Sequence, residues 1–235
     1  MQESIIVIRA KGEEKITGEG VIEVPVLKPI PDQDALRRLK ELCLRKWDVA
    51  VFMSTVAVEY AHSVVKDSCW VKCMAVGPST AEAVRRLYND ECLIPSEYSS
   101  IGLLRMLKGI NGNILVIRSM EYNNSQFNEL GGAVTEVGLY RLSVNVDELR
   151  KLRALINERE ASGGPYALVV TSPKVAREVS SILLNLRHAL IIAIGPTTSR
   201  ELSRLSIPHR VAEVHTIDGA VNEAKRALSE YRSRV

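Results

Sequence analysis

Val51-Phe52-Met53-Ser54 is followed, after a gap, by Met74-Ala75-Val76-Gly77-Pro78-Ser79-Thr80. The same arrangement returns as Val169-Val170-Thr171-Ser172 and, after a gap of equal length, Ile192-Ala193-Ile194-Gly195-Pro196-Thr197-Thr198. Ser54 and Ser172, Gly77 and Gly195, and Thr80 and Thr198 are each 118 residues apart, and Arg86-Leu87 and Arg204-Leu205 keep that offset. A constant offset over such a stretch marks an internal duplication. In each copy, short apolar runs rich in β-branched residues predict buried strands, parallel because they do not alternate with polar residues. Gly-Pro and a hydroxyl residue then end a strand and open a helix, since Pro suits the first helical turn and Ser or Thr can cap its free amides. Helices are expected over Ala81–Leu87 and Ser199–Leu205. The result is βαβα alternation, an α/β class with a parallel sheet in each half.

Working outward, Ile5-Ile6-Val7-Ile8 predicts a buried strand ending at Arg9, and Ile114-Leu115-Val116-Ile117-Arg118-Ser119 echoes it. Residues 11–20 carry three glycines and are too broken for a long helix. Val21–Leu27 reads as extended, with Pro25 restricting it to an edge or a crossing strand. Asp32 or Asp34 caps an expected helix over Ala35–Arg45, whose leucines form one stripe. After a helix near Gln126–Leu130, residues 134–144 are extended again. A helix from Val146 to about Glu160 is broken by Gly163-Gly164-Pro165, and Thr216 or Asp218 caps a last helix over Gly219–Tyr231. Asp218 lies 118 residues after Ser100, so the offset is expected to persist that far.

The VIRA strand supplies an element that the second copy otherwise lacks, and the VIRS strand does so for the first. One domain is therefore inserted in the other: 1–22 with 144–235, and 33–133. Segments 23–32 and 134–143 are expected to cross between them as a two-stranded linker.

The 235 residues are 46% hydrophobic and 25% charged, enough for two cores and unlike a disordered chain. A net charge of +3 does not point to nucleic acid but suits an anionic small molecule. No apolar run approaches the roughly 18 residues of a membrane helix, and no signal-peptide pattern opens the sequence, which predicts a cytoplasmic protein. Cys43, Cys69, Cys73 and Cys92 form no metal or redox motif and read as small buried hydrophobes. The four histidines form no metal or nucleophile constellation.

Ligands in open α/β sheets sit beyond the carboxyl ends of strands, here Arg9, Ser54, Gly77–Thr80, Arg118, Ser172–Lys174 and Gly195–Thr198. Each precedes or opens a helix, whose free amides and dipole attract anions. The two sets of ends are expected to face one cleft that takes a large, multiply negative ligand. Each hydroxyl also has a plainer role as a helix cap, the arginines as solvated strand ends, and Tyr140 as an amphipathic linker residue. No His stands near Ser54 or Ser172 in sequence, so neither reads as a nucleophile.

In the order and spacing of the VIRA strand, AVGPSTAEAV, LYRLS, VTSPKVAREV and AIGPTTSRELSRLSIP with a following T-x-D-G-A-V, the chain resembles the uroporphyrinogen-III synthase family over nearly its whole length. It departs from that family in residues 10–20 and in lacking Gly-Arg after the VIRS strand. The resemblance implies two flavodoxin-like domains on a two-stranded ladder. It also implies closure of hydroxymethylbilane, with inversion of ring D and loss of water, by a monomer without metal or organic cofactor. Positioning of the substrate's eight carboxylates would supply most of the effect. Candidate substrate-binding residues are then Arg9, Ser54, Gly77, Ser79, Thr80, Arg118, Ser172, Lys174, Gly195, Thr197 and Thr198. Tyr140 matches the tyrosine considered for helping the hydroxyl depart as water. Neither a membrane nor a nucleic acid is an expected partner. A competing reading is a non-catalytic two-domain hinge protein for a polycarboxylate, which needs no acid at Tyr140. A flavin mononucleotide carrier is weaker still, since no hydroxyl-rich phosphate loop follows the first strand.

Overall fold

The computed structural model describes residues 5–11, 20–121, 126–130 and 134–233. The expectations for 12–19, and the departure from family pattern over 122–125, lie outside the described residues. The described chain is α/β with ten strands and eight α-helices. It divides into two compact units, Met1–Lys28 with Ser143–Val235, and Pro29–Leu142.

The unit holding both termini contains β1 (Ile5–Ala10) and most of β2 (Val21–Pro31). It continues with α5 (Val146–Ser162), β8 (Tyr166–Val170), α6 (Pro173–Leu183), β9 (Ala189–Ala193), α7 (Pro196–Arg204), β10 (Arg210–Val211) and α8 (Ile217–Arg232). Its strands run β10-β9-β8-β1-β2, all parallel. Both faces of β1 and β8 are covered, which is why neither alternates: Ile5 to Ile8 and Tyr166 to Val170 are all fully buried. Ala220, Val221, Ala224, Ala227 and Leu228 of α8 pack against Ile5, Val7, Ala167 and Val169.

The other unit contains α1 (Gln33–Leu42), β3 (Trp47–Phe52), α2 (Thr55–Val64), β4 (Trp70–Ala75), α3 (Pro78–Tyr88), β5 (Cys92–Leu93) and α4 (Ser100–Leu107). These are followed by β6 (Ile114–Ser119), a 3-10 turn (Gln126–Leu130) and most of β7 (Val134–Val144). Its order, β7-β6-β3-β4-β5, is again parallel throughout. One face buries Leu39, Trp47, Phe52, Val58 and Trp70, and the other Val49, Val51, Leu103, Leu107 and Val116.

The duplication is visible in the backbone. Ile5 is level with Val21 and Ile114 with Val134, and each pairing shifts register at one place, between Arg9 and Ala10 and between Arg118 and Ser119. Asp32 N–H donates to Leu139 O and Asn145 N–H to Val26 O, at 2.9 and 2.8 Å, just where α1 and α5 begin. Segments 21–31 and 134–144 are thus sheet strands beside β1 and β6 for much of their length. Pro25 is tolerated because it lies at the register shift.

Three sequence expectations are corrected. The helices after the glycine-proline turns begin at Pro78 and Pro196 themselves, because a proline loses nothing at the first helical position. The 118-residue offset falls to 117 after α7: the left-handed residues closing this turn are Asn89 and Ser206, and the next N-caps are Ser99 and Thr216. The cysteines are not free hydrophobes. Cys43 is bonded to Cys69 and Cys73 to Cys92, all in one unit. Cys73 and Cys92 are level on β4 and β5, a neighbourhood set by strand register rather than by sequence spacing.

Candidate functional site

In the unit built from Pro29–Leu142, β3 ends at Phe52 and Ser54 takes the extended backbone of an N-cap. Its Oγ accepts the Ala57 N–H at 3.1 Å and lies 2.9 Å from Tyr140 Oη. Tyr140 is level with Ser119, directly after the register shift, and is 7% exposed. Its ring centroid is 5.8 Å from that of Tyr60, whose hydroxyl donates to Pro29 O at 3.2 Å. Burial, and then the nearby Glu59 carboxylate, push the Tyr60 phenol above its usual pKa.

Gly77 opens α3 with no side-chain cap, so the first amides of that helix are not taken by its N-cap residue. Ser79 is exposed and Thr80 buried on the first turn. Arg118 Nε sits 2.8 Å from Glu136 Oε2 on β7. This pair lines a groove of about 400 Å³ together with Ser119, Met120, Gly138 and, from α1, Asp34 and Arg38.

The unit holding the termini repeats the scheme. Ser172 caps α6, its Oγ accepting the Val175 N–H at 3.2 Å, with Lys174 on the first turn. Gly195 opens α7 uncapped, beside the ring of His215. Thr197 is exposed, whereas Thr198 is 1% exposed and its Oγ1 has no hydrogen-bond partner among the described residues. Arg9 Nε lies 3.5 Å from Glu23 Oε1, mirroring Arg118 and Glu136, so both strand-end arginines face a carboxylate of the adjoining strand. Where Tyr140 stands level with Ser119, this unit has Leu27 level with Ala10.

Each unit therefore gathers its predicted residues at the carboxyl ends of its strands: Ser54, Gly77, Ser79, Thr80, Arg118 and Tyr140 in one, Arg9, Ser172, Lys174, Gly195, Thr197 and Thr198 in the other. Sequence reasoning missed two contacts. One joins Ser54 to Tyr140 across 86 residues. The other joins Ser199 Oγ to His209 Nε2 at 2.8 Å, with His209 Nδ1 2.8 Å from Ile207 O. The histidines were expected to form no metal or nucleophile constellation, and no signal in the sequence paired Ser199 with His209. Nδ1–H donating to that carbonyl leaves Nε2 to accept the serine proton, which ties α7 to β10. Among the described residues no cluster of His, Cys, Asp and Glu could hold a metal ion, and no helix is long and apolar enough to cross a membrane.

Helix starts without side-chain caps, buried hydroxyls and a phenol gathered at the ends of parallel strands belong to a protein of the α/β class with a parallel sheet. Residues 10–222 match the uroporphyrinogen-III synthase HemD family, and the chain belongs to it. A protein of Methanothermobacter thermautotrophicus provisionally named a uroporphyrinogen-III synthase is 28% identical over 216 residues, 82% of this chain and 83% of its own. One of Archaeoglobus fulgidus, named in the same way, is 27% identical over 165 residues, 65% of this chain and 68% of its own. The crystal structure of the Helicobacter pylori uroporphyrinogen-III synthetase aligns with a TM-score of 0.65 at 14% identity, covering 96% of this chain and 99% of that one. A mutant Thermus thermophilus uroporphyrinogen III synthase aligns at 0.54 and 16% identity, covering 97% and 100%. At those identities the solved structures speak for the fold.

Proposed function

We infer that the protein closes hydroxymethylbilane to uroporphyrinogen III, inverting ring D and releasing water. Family membership supports the reaction. The observation that carries it to named residues is Tyr140 Oη, held 2.9 Å from Ser54 Oγ at the end of β3. A neutral phenol can give its proton to the departing hydroxyl, so that the C–O bond breaks with water as the leaving group. The substrate carboxylates are held by the amides that open α3 and α7, with Ser79, Thr80, Thr197, Thr198 and Lys174 as further donors. Ser172 and the ion-paired Arg9 and Arg118 complete the proposed set. We also propose that the units are two flavodoxin-like domains, 1–22 with 144–235 and 33–133, joined by 23–32 and 134–143. The parallel five-strand orders of the two units and the matched bonds at Asp32 and Asn145 support this.

Tyr140→Phe tests the assignment, because it keeps the ring and its packing and removes only the proton. Turnover of hydroxymethylbilane should fall by roughly 10²–10⁴ with substrate binding little changed. Turnover at the wild-type rate would make Tyr140 a core residue.

A further inference from the structure

On the reading that this chain closes hydroxymethylbilane, we infer that His215 is a further substrate-binding residue, whose ring donates to a substrate carboxylate at the opening of α7. Gly195 gives α7 no side-chain cap and Pro196 has no N–H, so the amides of Thr197 and Thr198 open the helix. The helix dipole favours an anion there. Thr198, on the same turn, points to a ligand independently: it is 1% exposed, and its Oγ1 is buried without a hydrogen-bond partner among the described residues. Side chains on a helix lean toward its N-terminus, so at the third helical position this hydroxyl stands over the same opening. A buried hydroxyl left unmade costs stability, and a ligand oxygen bound between it and the amides removes that cost.

His215 stands beside that opening. A Cβ on Gly195 would meet His215 Cγ at 3.3 Å, Cδ2 at 3.4 Å and Cβ at 3.5 Å, so the carbon edge of the ring lies on the glycine. The residue is exposed, and its ring nitrogens are not spent on any hydrogen bond among the described residues. The chain at this point is held in place, because Thr216 N–H donates to Val214 O at 2.9 Å and Thr216 Oγ1 caps α8 by accepting the Gly219 N–H at 3.1 Å. The duplication repeats the placement: Tyr98, 117 residues earlier, precedes the N-cap Ser99 and sets its Cβ and Cγ 3.6 and 3.7 Å from a Cβ on Gly77. A ring on the glycine is thus common to both copies and needs no nitrogen. Peculiar to α7 is a ring with an N–H to donate, beside a hydroxyl that lacks a partner.

The test is a double-mutant cycle in the full-length protein, with kcat and KM for type III porphyrin formation and the melting temperature measured for each variant. His215→Phe keeps a ring on Gly195 and removes both nitrogens. KM should rise about three- to tenfold, the worth of one hydrogen bond, with kcat within about twofold and the melting temperature unchanged. In a Thr198→Val background the same substitution should cost clearly less, because both groups hold one carboxylate. An unchanged KM in His215→Phe alone would overturn the inference. So would a loss that adds in full to that of Thr198→Val, since the two residues would then act at separate places. Type I porphyrin alone from the wild-type protein is a different failure, because the reaction assignment then falls and the ligand named here falls with it.

Discussion

Thr198 is the sharpest test among single residues. Its hydroxyl is buried without a hydrogen-bond partner among the described residues, although it stands on the first turn of a helix whose N-cap residue has no side chain. A buried hydroxyl left unmade costs stability, of order 1–3 kcal/mol. Thr198→Val keeps the shape and removes that cost. Its melting temperature should hold or rise, while substrate affinity falls about three- to tenfold if the hydroxyl finds its partner in a ligand carboxylate. Lower stability together with unchanged affinity would make Thr198 a structural cap instead. That Thr198 belongs to the strand-end set was legible from its 118-residue partner Thr80. Its missing partner was not, because satisfaction of a hydroxyl depends on neighbours brought in by the fold.

The four helix starts after β3, β4, β8 and β9 come as two serine caps and two glycine caps, in the same order in each copy. The glycines are not there for backbone freedom, since both have extended φ values of −170° and −176° that any residue adopts. What they provide is a first turn whose amides are not taken by the cap. A Cβ at Gly77 would meet only ordinary contacts, 3.6 Å to Tyr98, whereas at Gly195 it would press on His215 at 3.3 Å. Gly77→Ser therefore fits, and its hydroxyl would occupy the amide that Ser54 occupies on α2. Stability should change by no more than a few tenths of a kcal/mol, and affinity for hydroxymethylbilane should drop several-fold. Equal affinity would show that the opening amides of α3 do not hold substrate. The elements themselves were largely readable, because buried parallel strands and Gly-Pro turns are local signals. The starts of α1 and α8 each moved by two residues because capping by Asp32 and Thr216 was one of two choices in each case. Ser54 and Tyr140 could not be joined in advance, since their contact depends on how β7 lies beside β6.

At the scale of the whole chain, both disulfides fall in the unit built from Pro29–Leu142, and the other unit has no cysteine. Closing loops of 26 and 19 residues removes unfolded-state freedom worth about 3 kcal/mol each. Denaturation with a reductant should therefore lower the stability of that unit and leave the other unchanged, and the oxidised chain should show no free thiol after unfolding. Four thiols titrating without reductant would contradict the bonded arrangement. Reducing cytoplasm opposes such bonds, so the cytoplasmic expectation and the two bridges pull in opposite directions. The pairing was invisible in the sequence because neither bridge follows a spacing motif.

The central claim is that this chain directs ring closure rather than only retaining a polycarboxylate. Hydroxymethylbilane closes by itself without inversion, so the product isomer reports the protein's action directly. Incubation of hydroxymethylbilane with the protein, followed by oxidation and isomer separation, should give predominantly the type III porphyrin, formed faster than the spontaneous type I. Type I alone, at the rate seen without protein and despite tight binding of the bilane, would contradict the account.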